Sequence, residues 1–138
     1  MNAAVRYFSK SGNTKKIAEA IADAVGTQAK PLPNPIGEEV DLLFLGGAIY
    51  GFGIDENLKD YISTLPGTIP CVAIFSTTAV VPSAYPHIST LLEEQGLTVC
   101  KEEFHCWGKF LLMHKGRPDD NDLEHAAAFA RRVAHGRP

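Results

Sequence analysis

Short apolar runs alternate with helical apolar patterns along the chain, and this alternation restricts the fold more than any other feature. The strand-length runs lie at residues 3–8, 42–48, 71–75 and 97–104, and between and after them apolar residues recur at intervals of three or four. Within the second and third runs, several consecutive positions are all apolar, as in strands covered by helices on both faces. The pattern therefore predicts an α/β fold with a doubly wound parallel sheet.

Residues that begin helices lie where this alternation requires them. Asp55 and the acidic residues 119–122 are placed to cap two helices, and Pro86 suits the first turn of another. Residues 27–32 are expected to form a short strand. Several prolines in and beside it lack a backbone donor, which places this strand at an edge of the sheet.

Composition limits the classes of function. A chain of 138 residues with 45% apolar residues has the size and composition of one domain, which we assign to residues 1–138. A formal charge of −3 provides no excess of cations for nucleic acid. We expect no membrane span, because no apolar run approaches the ~20 residues that a spanning helix needs. The first residues do not resemble a secretory signal, so a cytoplasmic location is expected.

The three cysteines are expected to have no structural role, because a domain of this size forms a stable core without disulfides or structural metal ions. Cys100 and Cys106 would lie about 20 Å apart on one strand, well beyond the reach of a disulfide. We therefore expect free thiols and a reducing compartment for Cys71 and the other two.

The strongest motif lies between the first strand and the first helix. Three hydroxyls, a carboxamide and a glycine occur within six positions, at Ser9, Lys10, Ser11, Gly12, Asn13 and Thr14. Such a turn can direct backbone N–H groups and hydroxyls at one anion, which predicts a phosphate site. A Walker loop or a dinucleotide fingerprint needs more glycines, and a low-molecular-weight phosphatase needs a cysteine here. A helix cap alone would explain only one of the hydroxyls.

The segment from Tyr7 and Phe8 through Thr14 resembles the signature of the flavodoxin family, and the order of segments is similar over nearly the whole chain. The resemblance implies five parallel strands in the order 2-1-3-4-5 and one noncovalently bound FMN. It also implies that the six residues of the motif hold the FMN phosphate. Ser11 replaces a threonine of the family and keeps its hydroxyl.

By the same resemblance, a first flavin loop follows the third strand. It comprises Ala48, Ile49, Tyr50, Gly51, Phe52 and Gly53. Tyr50 occupies the place of the inner ring-stacking aromatic, and the peptide after Gly51 would lie near the flavin N5. Glycines allow the backbone to approach a flat ring closely, and an aromatic side chain offers a stacking face.

A second flavin loop is implied after the fourth strand, and here the sequence departs from the family pattern. The residues Ser76, Thr77, Thr78 and Ala79 can offer backbone groups and hydroxyls to the pyrimidine edge, but the usual outer-face tyrosine has no counterpart. Tyr85 and Trp107 are the candidates for that face. Of these we assign Trp107, which we place in a segment after the fifth strand.

His105 and Cys106 suggest other chemistry. They can form a thiolate pair, or bind a metal together with His114, but the spacing matches no closed metal motif. Neighbours on a strand point to opposite faces, so the two side chains would diverge. We assign no catalytic residue and no metal ligand, and we expect a core cysteine.

Three functions remain open at this point. The favoured one is an FMN-binding carrier that passes electrons between redox partner proteins. An FMN-dependent oxidoreductase that reduces a quinone or another small electron acceptor is the second. The third is a flavodoxin-shaped module without flavin, which the altered second loop keeps open.

Overall fold

A computed structural model describes residues 2–37, 39–50, 53–78, 83–108 and 114–136, with the backbone alone at residues 49 and 50. It contains six strands and four helices in these ranges. In chain order they are β1 (Ala3–Tyr7), α1 (Asn13–Val25), β2 (Ala29–Pro31), β3 (Leu42–Tyr50), β4 (Gly53–Ile54), α2 (Glu56–Ser63), β5 (Val72–Thr78), α3 (Tyr85–Glu94), β6 (Phe104–Trp107) and α4 (Asp120–His135).

The strands form a sheet in the order β2-β1-β3-β5-β6, and neighbours along this path are parallel. The short strand β4 lies off the path and pairs antiparallel with the end of β3. When β4 is left aside, the five parallel strands follow the predicted order 2-1-3-4-5. The three-residue strand β2 lies at the edge, as its prolines require.

The sheet separates two hydrophobic cores, which explains the uninterrupted apolar runs. Leu42 and Phe44 of β3 belong to the core beneath α1 and α4, whereas Leu43 and Leu45 belong to the core beneath α2 and α3. All four are completely buried. Because successive side chains of a strand point to opposite faces, a strand covered on both faces must be apolar at every position.

The helix ends confirm the predicted caps. The side chain of Asp55 accepts a hydrogen bond from the backbone N–H of Asn57 at the start of α2. At the start of α4, Asp119 and Asp122 each accept a bond from the other's backbone N–H, which forms a capping box. No helix among the described residues is long and apolar enough to cross a membrane.

The fifth parallel strand lies later in the chain than predicted. Within the expected run 97–104, Val99 forms only an isolated bridge to Val72, and β6 begins at Phe104. The charged residues 101–103 leave the ladder between these two points. Trp107 is therefore the last residue of a strand, and its predicted position in a segment after the strand is wrong.

The expectation of three free thiols is also wrong. Cys71 and Cys100 form a disulfide, with their Cα atoms 6.2 Å apart, and only Cys106 is free. The bridge from Val99 to Val72 carries the segment after α3 alongside the first residues of β5 and so brings the two cysteines together. The sequence pattern indicated only that Cys100 and Cys106 are too far apart for a disulfide, and it gave no sign that Cys71 and Cys100 are close.

Candidate functional site

The carboxyl ends of the central strands meet at one edge of the sheet, and those predicted site residues that the structure describes lie at or near this edge. The backbone N–H of Phe8, just after β1, donates to the carbonyl of Gly46 in β3 at 3.1 Å. The N–H of Gly108, just after β6, donates to the carbonyl of Thr78 in β5 at 2.9 Å. In open α/β sheets, ligands bind at this edge.

The turn from Ser9 to Thr14 has the geometry of an anion site. Gly12 adopts φ +88°, a left-handed conformation that favours glycine, and its N–H donates to Ser9 Oγ at 3.0 Å. Helix α1 begins at the next residue, without a side-chain cap and without an acidic residue in its first turn. The positive end of the helix therefore faces the turn with no carboxylate in the first turn of the helix itself.

Thr14 connects this turn to the end of β5. Its Oγ1 lies 2.8 Å from Thr77 Oγ1, and both residues are buried. A hydroxyl can accept one hydrogen bond and donate another. If Thr77 donates in this pair, the Thr14 hydroxyl keeps its own proton for a further acceptor, so the contact is compatible with the predicted phosphate role.

Lys10 makes a contact that the sequence analysis did not predict. Its Nζ lies 3.4 Å from Asp55 Oδ2, so the side chain connects the turn to the start of α2. The pKa of Asp55 is lowered, chiefly because its carboxylate accepts a bond from the Asn57 backbone, and Lys10 adds to this against the opposing effect of burial. The ion pair is half exposed, so its contribution to stability is small.

The predicted first flavin loop is mostly strand. Strand β3 continues to Tyr50, with Ala48 paired to Thr77, and Gly53 begins β4. Gly46 and Gly47 are glycines because other side chains pack closely against them. A Cβ on Gly46 would overlap the Phe75 ring, and a Cβ on Gly47 would overlap the Leu58 side chain. These predicted site positions lie outside the described residues: Gly51, Phe52 and the side chains of Ile49 and Tyr50.

The predicted second loop also begins inside a strand. Ser76, Thr77 and Thr78 are the last residues of β5, and all three are buried. Ser76 points away from the turn, since its Oγ accepts a bond from the backbone N–H of Ala84 before α3. The side chain of Thr77 reaches the turn after β1 through its contact with Thr14. Ala79 lies outside the described residues.

Comparison with known protein families identifies a flavodoxin domain. Residues 4–96, more than half of the chain, match the model of a flavodoxin domain. The chain belongs to the flavodoxin family. No curated protein sequence matches it significantly.

Solved structures show the same flavodoxin fold at low sequence identity. Flavodoxin 2 from Bacillus cereus is 20% identical with a TM-score of 0.74, and the match covers 99% of this chain and 100% of that one. A flavodoxin from the domain Archaea is 22% identical with a TM-score of 0.71, covering 99% and 98%. The match to rubredoxin oxygen:oxidoreductase from Desulfovibrio gigas, 15% identical with a TM-score of 0.74, covers 98% of this chain and 35% of that one.

Trp107 is the last residue of β6, at the carboxyl edge of the sheet, and it already has a stacking partner. The indole ring lies parallel to the imidazole of His114, with ring centroids 4.4 Å apart and an interplanar angle of 7°. Trp107 itself pairs with Thr78 at the end of β5. One face of the indole is therefore covered by protein, and at most the other can meet a ligand.

The cysteine and histidine beside Trp107 do not form a reactive pair. His105 is exposed and its Nδ1 lies 2.7 Å from Glu103, whereas Cys106 is buried on the opposite side of β6. Burial raises the pKa of the Cys106 thiol to about 12, so the thiolate form is scarce near neutral pH. Within the described ranges, no three His, Cys, Asp or Glu side chains are grouped as metal ligands.

An apolar cavity of about 420 Å³ lies between β4 and α3. Ile54, Pro86 and Leu91 contribute to its apolar lining, and Lys59 and His87 also border it. Gly53, the last residue of the predicted first flavin loop, also lines the cavity, and α3 comes after the predicted second loop in the chain. The volume is in the range of small-molecule sites.

Proposed function

We propose that this flavodoxin-family chain, as a single domain over residues 1–138, binds one FMN noncovalently and transfers electrons through it. The observation that carries the proposal is the turn from Ser9 to Thr14. It combines hydroxyl donors, a left-handed glycine and an uncapped helix N-terminus at the carboxyl edge of a parallel sheet.

The residues present fit a phosphate monoester. The hydroxyls of Ser9, Ser11 and Thr14 and the carboxamide of Asn13 are donors, and the first-turn N–H groups of an α-helix have no acceptor within the helix. No carboxylate lies in that first turn to repel the anion. Lys10 also remains assigned to this site.

The flavin ring would lie between the segments at the carboxyl ends of β3 and β5. We assign residues 48–53 and 76–79 to its two sides, with Tyr50 on the inner face and Trp107 at the outer edge. Bound FMN supplies the one- and two-electron chemistry. The chain's own residues hold the phosphate, orient the ring and limit its contact with water.

A second candidate function is reduction of a quinone or another small acceptor by an FMN-dependent enzyme. The apolar cavity between β4 and α3 favours it, because the cavity is lined by Gly53 of the first predicted flavin segment and by α3, which comes after the second segment in the chain. We favour the carrier, with redox proteins as partners, since the cavity could also accommodate side chains of a partner.

The test is to purify the protein, extract its chromophore and reduce the protein stepwise. We expect one FMN per chain and two separate one-electron steps. Reduction in a single two-electron step with rapid turnover of NAD(P)H would favour the enzyme instead. Colourless protein that fails to bind added FMN would leave the flavin-free interaction module as the function.

We keep the cytoplasm as the proposed location. The disulfide between Cys71 and Cys100 argues against it, because disulfides are rare in reducing compartments. Alkylation of thiols in intact cells before lysis shows whether Cys71 and Cys100 are reduced or disulfide-bonded inside the cell. Reduced Cys71 and Cys100 in cells would support the cytoplasm.

A further inference from the structure

Gly108 lies in contact with the phosphate turn although it is almost one hundred residues away in the chain. It follows the last residue of β6, is buried, and donates its N–H to the Thr78 carbonyl at 2.9 Å. A Cβ added at this position would meet the side chain of Asn13, the first residue of α1, before that of any other residue not adjacent to it in the chain. The sequence pattern indicated no role for Gly108.

The backbone of Gly108 does not itself require glycine, because its φ lies outside the left-handed range. The limited space beside Gly108 is what requires glycine. A Cβ at this position would come within 2.8 Å of Asn13 Nδ2, 3.1 Å of Cγ and 3.2 Å of Cβ. The missing side chain therefore leaves room for the Asn13 carboxamide.

Neither backbone can move away easily to make room for a methyl group. Gly108 is held to Thr78 by its hydrogen bond, and Thr14, the neighbour of Asn13, is held to Thr77 by the buried hydroxyl pair. Both contacts lead to the last residues of β5. An added methyl group must therefore be accommodated mainly by rotation of the Asn13 side chain.

We propose that Gly108 is a positioning residue for the cofactor phosphate, acting through the Asn13 carboxamide. This proposal rests on the proposed function, in which Asn13 is a phosphate donor. It extends the phosphate site from the turn after β1 to the end of β6. The lack of a side chain at Gly108 then contributes to affinity for the phosphate and not for the flavin ring.

The experiment compares Gly108→Ala with Gly67→Ala in apo-protein titrated with FMN and with riboflavin. Gly67 is a matched control, because a Cβ there meets nothing within 4 Å and its φ is also outside the left-handed range. Loss of one hydrogen bond to a charged group should weaken FMN binding by Gly108→Ala roughly tenfold or more. Riboflavin binding should change by less than about twofold, since riboflavin has no phosphate to lose.

The Asn13→Ala variant provides a second test, which asks whether Gly108 acts through the Asn13 side chain. If the methyl group acts by displacing the carboxamide, Gly108→Ala should cause no further loss of FMN affinity in the Asn13→Ala background. A loss that persists there, an equal loss for riboflavin, or unchanged FMN binding in Gly108→Ala would each overturn the proposal.

A measurement on the apo-protein separates this proposal from the proposed function. Nuclear Overhauser contacts between the Asn13 side-chain amide and the Gly108 α-protons should be present in the wild type, and their absence would overturn the proposal even if Gly108→Ala fails to fold. Wild-type protein that shows these contacts but binds no FMN would refute the proposed function, and with it the phosphate role of Gly108.

Discussion

The hydroxyl oxygens of Thr14 and Thr77 lie 2.8 Å apart in a buried position, where the first turn of α1 meets the end of β5. This contact joins two segments 63 residues apart in the chain. It connects the turn proposed to hold the phosphate with the strand that leads into the second proposed flavin segment.

Thr14→Val should destabilise the protein by about 1 to 3 kcal/mol, because it leaves the buried Thr77 hydroxyl without its partner. The double variant Thr14→Val/Thr77→Val should recover part of that loss, since an apolar pair of the same shape buries no unpaired hydroxyl. Urea unfolding of the two single variants and the double variant measures these changes in the free energy of unfolding. Thr90→Val, at an exposed position, is the control. Strictly additive losses would show that the two hydroxyls do not interact.

Gly46→Ala should cost about 3 kcal/mol of stability, because the new methyl group would overlap the buried ring of Phe75. Gly67→Ala should be nearly neutral, since a methyl group there meets nothing. Thermal and urea unfolding provide the comparison. Adding Phe75→Leu to Gly46→Ala should restore part of the lost stability. If Phe75→Leu lowers the stability of the Gly46→Ala variant by as much as it lowers that of the wild type, the overlap is not the cause.

The stability that Asp122 contributes should depend on pH. Burial alone would raise its pKa, but hydrogen bonds from Arg117, at 2.6 Å to each carboxylate oxygen, and from the Asp119 backbone lower it overall. A folded-state pKa below the unfolded value adds stability above the unfolded pKa of about 3.9, and this stability is lost as the pH falls through the folded pKa.

Asp122→Asn should therefore lower the free energy of unfolding by about 2 kcal/mol at pH 7, and the difference from the wild type should shrink below about pH 4. Urea unfolding across this pH range measures it. Asp120→Asn, on the exposed first turn of α4, should change stability by less than about 1 kcal/mol. A difference for Asp122→Asn that is independent of pH would contradict the assigned role of the carboxylate.

The disulfide predicts a definite number of thiols. Denatured but unreduced protein should show one free thiol, from Cys106, and reduction should raise the number to three. Reduction should also cost about 3.5 kcal/mol of stability, the chain-entropy value for a loop of this length. Cys106→Ala should show no free thiol before reduction and two after it. Three thiols in unreduced wild-type protein would contradict the pairing.

The features that the sequence predicted well are those encoded by neighbouring residues. The apolar run of β3 specified a strand with both faces buried, and Asp55 and Asp119 marked helix starts because a cap bonds within its own turn. The prolines around β2 likewise fixed it at an edge. The order of the parallel strands was implied by the resemblance to the flavodoxin family, which rests on the segment from Tyr7 to Thr14 and on the order of segments along the chain.

The features that were missed depend on contacts between distant segments. Periodicity does not reveal which residues of 97–107 pair with β5, so the last strand was placed too early and the proximity of Cys71 and Cys100 went unseen. The packing role of Gly46 and Gly47 likewise depends on Phe75 and Leu58, which lie in other elements of the fold. Gly108 shows the same difficulty, since nothing next to it in the sequence indicates Asn13.

The most direct test of the central claim is to titrate the apo-protein with FMN and riboflavin and compare the two dissociation constants. If the turn from Ser9 to Thr14 holds the phosphate through several charged hydrogen bonds, FMN should bind at least about a hundredfold more tightly than riboflavin. Equal affinities for the two flavins, or no binding of FMN, would contradict the account.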